Sequence, residues 1–403
     1  MGEHEVHETG SHFAPDLPEF YLGNPHASFR RLRREDPLPW YPGSGGMWCV
    51  LKHADIVTVS RDPDRFTSTR GVQIGIRDLA RPGGVPPTII EMDPPEHNRY
   101  RKLVIQAFAP RATANLETMA RQIARESLEA IHPGTVADLV EGLAVPIPMY
   151  MIAELLGVPR RDRSHFKRWS DAMIEAGGGG RSPATDAALG EMLGYFQTVL
   201  GERRRAPKDD LISTLASARI EGSVLSDPEI LMFCATLLAA GNETTRNLIS
   251  GGSLLLMQNP DEKRRLLAQR SLLPNAVEEM LRVWTPVHSF TRTATRETEL
   301  RGGKISDGET LLLLYASANR DEEVWGEDSD RFDVGRDHSH QRHLAFGFGE
   351  HLCLGASLAR LEALILFQEL LARYPNFELA GEPTLLRSRL MHGVEHLPVL
   401  FRG

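Results

Sequence analysis

Residues 346–355 of the chain read Phe-Gly-Phe-Gly-Glu-His-Leu-Cys-Leu-Gly, and this stretch decides the fold. The glycines at 347, 349 and 355 allow tight turns and let the backbone approach a flat partner closely. Cys353 stands just before a strongly helical segment, residues 357–362, and a helix N-terminus stabilises an anion such as a thiolate. Phe346 lies seven residues upstream and can cover the face of a large ring. A cysteine thiolate needs these features to serve as the axial ligand of a haem iron.

Taken alone, Cys353 would be better interpreted as a buried structural cysteine, which is the commoner state of a lone cysteine. The glycine spacing favours the ligand instead. The run matches Phe-x-x-Gly-x-x-x-Cys-x-Gly at every fixed position, and in this the sequence resembles the cytochrome P450 family. Cys49 and Cys234 lack such a setting and are predicted to be core residues.

A second motif lies within the longest helical pattern of the chain. The pattern begins at Ser226, where Ser-Asp-Pro-Glu forms a capping box with proline in the first turn, and it stops at Asn259-Pro260. It is apolar on nearly every side, so the helix should cross the protein interior. Residues 239–246 within it read Ala-Ala-Gly-Asn-Glu-Thr-Thr-Arg. An acid and two threonines in such a helix cost free energy unless they are satisfied or used.

Small residues at 240 and 241 leave space one turn before Thr244, whose hydroxyl can bond the carbonyl four residues back and bend the helix. The segment resembles the family's oxygen-activating motif, Ala-Gly-x-Asp/Glu-Thr-Thr. The resemblance implies that Thr244 stabilises bound dioxygen, that Glu243 helps to deliver protons and that Gly241 contacts the cofactor. For Glu243 and Arg246 the alternative is an ordinary ion pair at i,i+3 spacing.

Glu279-Met280-Leu281-Arg282 places an acid and a base on one helix face, where they can form an ion pair. Solvated pairs of this kind are common, so the pattern alone is a weak signal. It matches the family's Glu-x-x-Arg motif, and the resemblance implies a buried network completed by the arginine before Phe332, which is Arg331. We expect Glu279, Arg282 and Arg331 to hold the haem loop in place and to take no part in catalysis.

The resemblance implies haem b (iron protoporphyrin IX) as cofactor, with O2 as co-substrate. The two propionates of the haem need cationic or hydrogen-bonding partners. Four residues at family positions fit this need, and each taken singly would more simply be an exposed polar residue: His97, Arg101, Arg292 and His351.

The positions expected to face the substrate are mostly apolar: Ala239, Ala240, Val287, Phe290, Leu390 and Met391. They suggest a lipophilic small molecule of the terpenoid, steroid or fatty acyl type. His288 is an unusual polar residue beside them. It could contact a substrate hydroxyl, or it could bond only to its neighbours.

The chain of 403 residues is long enough for two domains or for one large layered domain. Helical periodicity dominates, with strand-like segments at 291–295 and 310–314, so the predicted fold class is mainly α with a minor β portion. The resemblance runs from about Phe20 to the end. It implies the cytochrome P450 fold, with a long central helix over the haem and the cysteine-ligand loop beneath it. We therefore predict a flexible N-terminal segment at 1–19 and a single catalytic domain at 20–403.

Two further segments are rich in glycine and proline. The stretch from Arg70 to Pro87 should be an irregular loop. The four glycines at 177–180 could form the hinge of a lid or a plain surface linker.

Composition limits the class of protein. A net charge of −8 argues against a nucleic-acid binder. The three cysteines are far apart, which favours a reducing cytoplasm. The most apolar segment, 230–240, is too short to span a bilayer, and the first fifteen residues lack the apolar core of a signal peptide. We predict a cytoplasmic monomer without a membrane anchor.

The resemblance implies a monooxygenase that inserts one atom of O2 into a C–H or C=C bond. Electrons would come from NAD(P)H through a ferredoxin reductase and a ferredoxin, whose docking could use Arg99, Lys102, Arg342 and Arg360. Such charges are more often simply solvated. Two alternatives remain open: a peroxygenase driven by hydrogen peroxide, and a haem protein that binds or senses a ligand without catalysis.

Overall fold

The structure is a computed structural model that describes residues 13–75, 86–105, 116–177, 182–219 and 222–402. Most of the predicted irregular loop between Arg70 and Pro87 lies outside the described residues. So do most of the predicted glycine hinge at 177–180 and residues 1–12 of the predicted N-terminal segment.

Helices make up most of the described chain. They are, in order, α1 (Pro18–Leu22), α2 (Pro25–Glu35), α3 (His53–Ser60), α4 (Glu96–Ile105), α5 (Leu116–Glu129), α6 (Pro146–Leu155), α7 (Arg163–Gly177), α8 (Pro183–Arg205), α9 (Leu211–Ser217), α10 (Asp227–Gln258), α11 (Pro260–Ala268), α12 (Leu273–Trp284), α13 (Tyr315–Ala318), α14 (Glu322–Trp325) and α15 (Ala356–Arg373). Short 3-10 turns lie at Gly43–Gly45, Ile89–Glu91, Arg160–Asp162, Arg270–Leu272 and Gly349–His351, and a π-helical turn at Val140–Ala144.

Strands are short and few, as the predicted minor β portion requires. They are β1 (Trp40–Tyr41), β2 (Met47–Val50), β3 (Phe66–Thr67), β4 (Val136–Asp138), β5 (Ser289–Ala294), β6 (Thr298–Leu300), β7 (Gly303–Ile305), β8 (Thr310–Leu314), β9 (Glu378–Leu379), β10 (Thr384–Leu385), β11 (Val394–His396) and β12 (Pro398–Leu400). The predicted strands at 291–295 and 310–314 correspond to β5 and β8. The fold class, mainly α with a minor β portion, is confirmed.

The helix α10 begins and ends where the sequence predicts. The amide and the hydroxyl of Ser226 both donate to the Glu229 carboxylate, at 2.7 and 2.8 Å, which is the predicted capping box. At the other end, Asn259 leaves the helical region, with φ −122° and ψ 71°. A residue that precedes proline is sterically pushed out of the helical region, so Pro260 explains this stop. No helix in the described parts of the chain is long and apolar enough to cross a membrane.

By packing, the chain divides into two compact units, and the first comprises Met1–Ala80, Asn247–Cys353 and Gly381–Leu397. Its main sheet has the strand order β1-β2-β8-β5-β3. The strand β8 pairs in parallel with β2 and antiparallel with β5, from Thr310↔Thr293 to Leu314↔Ser289. Its leucines alternate between two cores: Leu311 and Leu313 face one, and Leu312 and Leu314 face the other. A strand covered on both faces explains this uninterrupted apolar run.

Residues 13–19 are part of the second of these cores, which corrects the predicted flexible segment for that stretch. The buried ring of Phe13 meets the rings of Phe20, Phe29 and Tyr41 edge to face, with centroids 5.6, 6.4 and 6.0 Å apart. Asp16 also accepts hydrogen bonds from the hydroxyls of Tyr41 and Ser44. One aromatic residue in a polar stretch has no periodicity to reveal it, but its burial offsets the cost of ordering the segment.

The second unit comprises Arg81–Arg246, Leu354–Ala380 and Pro398–Gly403, and its described part is mainly helical. Helix α15 is tied to α5, because Glu369 accepts hydrogen bonds from Arg121 at 2.7 Å and from Arg125 at 2.9 Å. The strand β12 lies between β4 and β9, antiparallel to both. The single domain predicted for 20–403 stays a prediction.

Candidate functional site

The cysteine loop is built by its backbone. The amide of Cys353 donates to the carbonyl of Phe346 at 2.9 Å, and the amide of Gly347 donates to that of Leu344, also at 2.9 Å. Gly347 and Gly349 have φ of +71° and +70°, a region that side chains disfavour. A Cβ on Gly349 would lie 2.2 Å from the carbonyl oxygen of Ser60. The glycines are therefore required both for the turn and for its close packing.

The three cysteines differ in exposure, and the difference supports the predicted roles. Cys49 and Cys234 are buried, whereas Cys353 is exposed at the end of the loop. Burial raises the pKa of the Cys234 thiol to about 12, and burial raises that of Cys49 even further. Both buried residues are therefore thiols rather than thiolates at neutral pH. Of the three, only Cys353 combines an accessible sulfur with a glycine-lined loop that a flat metal complex can approach, so the residues fit a haem ligand.

Asn319 fastens this loop to the rest of its unit. Its side-chain oxygen accepts from the amide of Leu344 at 2.6 Å, and its side-chain nitrogen donates to the hydroxyl of Thr285 at 2.9 Å. Its own carbonyl accepts from Arg282 at 2.9 Å. Asn319 is fully buried. The sequence analysis missed it, although an amide soon after the four leucines 311–314 was a usable signal.

Glu279 and Arg282 form the predicted ion pair, and both side chains are 0% exposed. Two parallel bonds of 2.7 and 2.8 Å join the guanidinium to the carboxylate. The guanidinium also donates to the carbonyls of Asn319 and Ser329. Burial acts to raise the pKa of Glu279, but hydrogen bonds from Arg282 and His338 outweigh burial and lower it to about 2.

The prediction that Arg331 supplies the third side chain of this network is wrong. The Arg331 side chain is 62% exposed and pairs with Asp333 at 2.7 Å. Its backbone carbonyl already accepts from Arg282 at 3.0 Å, so its side chain points away from the pair. The third side chain of the network is instead that of Arg336. It is 11% exposed, and its Nε donates to the Glu279 carboxylate at 3.2 Å.

Two of the predicted propionate ligands belong to the same unit as Cys353. Arg292 lies in β5, is buried, and donates to the Thr291 carbonyl at 2.8 Å. The ring of His351 is half-buried, with Nε2 3.2 Å from the hydroxyl of Ser68. Phe346 is also half-buried. A buried guanidinium in the cysteine's own unit fits a cofactor that carries carboxylates.

The oxygen-handling motif lies in the other unit, on the part of α10 that precedes residue 247. The hydroxyl of Thr244 donates to the Ala240 carbonyl at 2.6 Å, which is the predicted bond to the residue four positions back. Ala240 is exposed and Thr244 is half-buried, whereas the flanking Leu238 and Glu243 are buried. This part of α10 thus has an accessible side that carries a hydroxyl.

Glu243 and Gly241 have local partners within this unit. Arg246 approaches the Glu243 carboxylate at 3.5 Å, so the alternative i,i+3 pair is present in the structure. A Cβ on Gly241 would lie 2.7 Å from the Cδ1 of Ile152 in α6. The structure therefore gives Gly241 a packing role between helices, and its contact with a cofactor stays a prediction.

The other two predicted propionate ligands lie on α4 in this unit. His97 is buried, with its Nδ1 3.3 Å from the side-chain oxygen of Asn98, and Arg101 is half-buried four residues later. Arg99, one of the predicted docking cations, is engaged by Glu96 at 3.1 Å and Glu229 at 3.0 Å, which makes it a poor docking residue. Lys102 and Arg342 are exposed, and Arg360 is half-buried.

Some predicted pocket positions are brought together. Val287 and Met391 form an isolated antiparallel bridge, and Phe290 and Leu390 line one small cavity. Ala239 and Ala240 belong to the other unit. His288 is buried and engaged by its neighbours, since its ring stacks on Tyr21 at 4.0 Å and on His392 at 5.0 Å.

Comparisons with known proteins agree with this geometry. The family model described as Cytochrome P450 matches residues 184–389. Linalool 8-monooxygenase of Pseudomonas putida is 37% identical over 404 residues, which covers 96% of this chain and 98% of the relative. A methyl-branched lipid omega-hydroxylase of Mycobacterium bovis is 37% identical over 392 residues, covering 92% and 90%. The crystal structure of CYP109E1 from Bacillus megaterium in complex with testosterone superposes with a TM-score of 0.84 at 34% identity, covering 94% of this chain and 99% of that chain.

Proposed function

The chain belongs to the cytochrome P450 family, and from this premise we propose that it oxidises a lipophilic small molecule of the terpenoid, steroid or fatty acyl type. Its relatives are monooxygenases, which are oxidoreductases that carry haem, use O2 and depend on redox partners. The similar proteins are named for a terpenoid and a lipid, and one was crystallised with a steroid. The apolar residues Val287, Phe290, Leu390 and Met391 support the same substrate class.

The observation that carries the proposal is the exposed Cys353 at the end of a loop that two positive-φ glycines shape. Haem b would be held by this sulfur, with Phe346 against the ring. Its propionates would be held by cationic and imidazole side chains, for which the candidates are Arg292, His351, His97 and Arg101. When bound, haem supplies the activation of O2, and a thiolate ligand favours O–O cleavage.

The protein's own contribution would be proton delivery and exclusion of side reactions. The reaction consumes two protons per turnover. The Thr244 hydroxyl, which faces the accessible side of α10, would hold a proton at Oγ1 and pass it on. The buried carboxyl group of Glu243, which Arg246 approaches at 3.5 Å, would resupply that proton.

Electrons would come from NAD(P)H through a ferredoxin reductase and a ferredoxin. The three cysteines of the chain are too far apart in sequence for an iron–sulfur cluster motif, which supports an external donor. The exposed cations Lys102 and Arg342 are the better docking candidates, because Arg99 is already paired.

The test is the spectrum of the reduced protein with carbon monoxide. Wild type and Cys234→Ala should both show the red-shifted Soret band of a thiolate-ligated haem. Cys353→His should lose that band and show a nitrogen-ligated spectrum. Retention of the thiolate band by Cys353→His, or colourless wild-type protein after haem supplementation, would refute the proposal.

A further inference from the structure

His288 is the polar residue for which the sequence leaves two roles open, a contact with a substrate hydroxyl or bonds to its neighbours alone. In the structure it lies in a short antiparallel pairing within the first compact unit. The amide of His288 donates to the carbonyl of Leu390 at 2.8 Å, and the amide of His392 donates to the carbonyl of Pro286, also at 2.8 Å. We call the two bonded segments the ribbon: residues 286–288 and 390–392.

The two faces of the ribbon carry different side chains. Val287 and Met391 are bridge partners between the two backbone bonds, so they form a non-hydrogen-bonded pair, whose side chains lie close together on one face. Both are predicted to face the substrate. Because side chains alternate along a strand, His288 and His392 belong to the opposite face, and their rings do stack on each other. This arrangement favours the second role for His288.

A continuous stack of four rings covers the histidine face of the ribbon. The ring centroids are 4.0 Å apart from Tyr21 to His288, 5.0 Å from His288 to His392 and 3.9 Å from His392 to Trp284. The planes of neighbouring rings differ by 24°, 26° and 12° in the same order. Stacked rings stabilise their arrangement beyond the area that they bury. We call these four rings the clamp.

Both ends of the clamp are fixed to other parts of the unit. At one end, the hydroxyl of Tyr21 donates to the carbonyl of Pro15 at 3.0 Å. At the other end, the indole Nε1 of Trp284 donates to the carbonyl of His392 at 3.0 Å. The indole ring also lies against Gly251 of α10, where a Cβ would come within 2.1 Å of it. The outer rings therefore keep the two imidazoles between them in place.

The two imidazoles of the clamp are neutral at physiological pH. Burial lowers the pKa of His392 to about 4, and it lowers the pKa of His288 well below its usual range. The Nδ1 of His392 lies against the carbonyl of Trp284, which can only accept, so Nδ1 carries the hydrogen. The rings thus stack as uncharged aromatic groups, without repulsion between two cations.

We propose that the clamp determines substrate specificity from the opposite face of the ribbon, by fixing the positions of Val287 and Met391. The inference rests on the proposed function, because it assigns one wall of that substrate site to the ribbon. His288 and His392 are positioning residues, which act through the two apolar side chains on the other face. A wall that is ordered before a ligand arrives makes binding of a bulky ligand less costly in entropy.

Hydrogen–deuterium exchange followed by mass spectrometry tests whether the clamp fixes the ribbon. His392→Ala removes a central ring and should speed exchange in the peptides that cover both segments of the ribbon. His392→Phe keeps a ring but cannot bond the Trp284 carbonyl, and it should restore slow exchange. His396→Ala is the matched control, because it removes an exposed imidazole later in the same segment. Unchanged exchange in His392→Ala, or fast exchange in His392→Phe, would overturn the inference.

Azole binding to the haem-loaded protein tests whether the ribbon sets specificity. Imidazole and clotrimazole both ligate haem iron through nitrogen and shift the Soret band, but clotrimazole adds a bulky triaryl group that packs on the pocket walls. His392→Ala should weaken clotrimazole binding roughly fivefold to a hundredfold, because two loosened side chains must be ordered on binding. It should bind imidazole as wild type does.

The other two variants, His392→Phe and His396→Ala, should bind both azoles as wild type does. An equal loss of affinity for imidazole and clotrimazole in His392→Ala, or no loss for either azole, would overturn the inference. A melting temperature of His392→Ala above the assay temperature confirms that its effects do not come from unfolding.

The carbon monoxide spectrum of the same preparations separates this inference from the proposed function. A thiolate band together with unchanged exchange in His392→Ala would refute the role of the clamp alone. An absent band in wild type would refute the proposed function, and the exchange experiment would still report whether the clamp fixes the ribbon.

Discussion

Arg336→Ala should destabilise the protein far more than Arg331→Ala, although Arg331 is the residue to which the sequence motif points. Arg336 donates to the Glu279 carboxylate at 3.2 Å and to the Trp325 carbonyl at 3.1 Å, and its side chain is 11% exposed. Hydrogen bonds to charged groups contribute about 1.5–3 kcal/mol each, so losing these two should cost about 3–6 kcal/mol. The exposed pair of Arg331 with Asp333 should contribute about 0–1 kcal/mol.

Urea unfolding of the two variants and wild type, followed by circular dichroism, measures the difference. The midpoint for Arg336→Ala should fall clearly, and the variant should also retain less haem, because Glu279 and Arg282 reach the cysteine loop through Asn319. The midpoint for Arg331→Ala should stay close to that of wild type. Equal losses in both variants, or a larger loss in Arg331→Ala, would show that the observed network is not the one that stabilises the protein.

Three other predictions concern single residues. Thr244→Ala should lower the amount of product formed per NAD(P)H consumed and release more peroxide, because it removes the hydroxyl on the accessible face of α10. An unchanged ratio of product to NAD(P)H would show that another group delivers the protons. Gly349→Ala should fail to load haem, because its Cβ would lie 2.2 Å from the Ser60 carbonyl, whereas Gly302→Ala, with a similar φ of +79° but open space, should load normally. Burial raises the pKa of Glu362 to about 8, so its ionisation costs stability progressively as pH rises from 4.5 to about 8. As the pH rises from 5 to 8, the free energy of unfolding of Glu362→Gln should therefore increase by roughly 3–5 kcal/mol relative to that of wild type. Urea unfolding at a series of pH values measures this difference, and parallel pH profiles of the two proteins would contradict it.

Local sequence patterns were sufficient for the features that depend on neighbouring residues. The capping box at Ser226, the bond from Thr244 to Ala240 and the pair of Glu279 with Arg282 all join residues three or four positions apart. Residues three or four positions apart lie on the same face of a helix, so the contact follows from the spacing. The glycine loop before Cys353 was predictable for a related reason, since its tight turn leaves glycine as the residue that fits.

Features that depend on the direction of an irregular backbone were not predictable in this way. Arg331 and Arg336 lie in one loop, and the orientation of the Arg331 carbonyl decides which side chain reaches Glu279. Arg389 donates to the carbonyl of Ile74, which lies more than 300 positions earlier in the sequence. No periodicity in the sequence records either arrangement.

The side chain of Asn319 has a consequence for how the protein could acquire its prosthetic group. Asn319 forms hydrogen bonds with Leu344, Thr285 and Arg282. The segment that leads to Cys353 is therefore held in place by hydrogen bonds within the polypeptide itself. A loop that is already ordered loses little conformational entropy when haem binds to it. None of these three hydrogen bonds involves a side chain predicted to face the substrate. Substitutions at the substrate-facing positions could therefore change substrate preference while the hydrogen bonds that hold the cysteine loop stay intact.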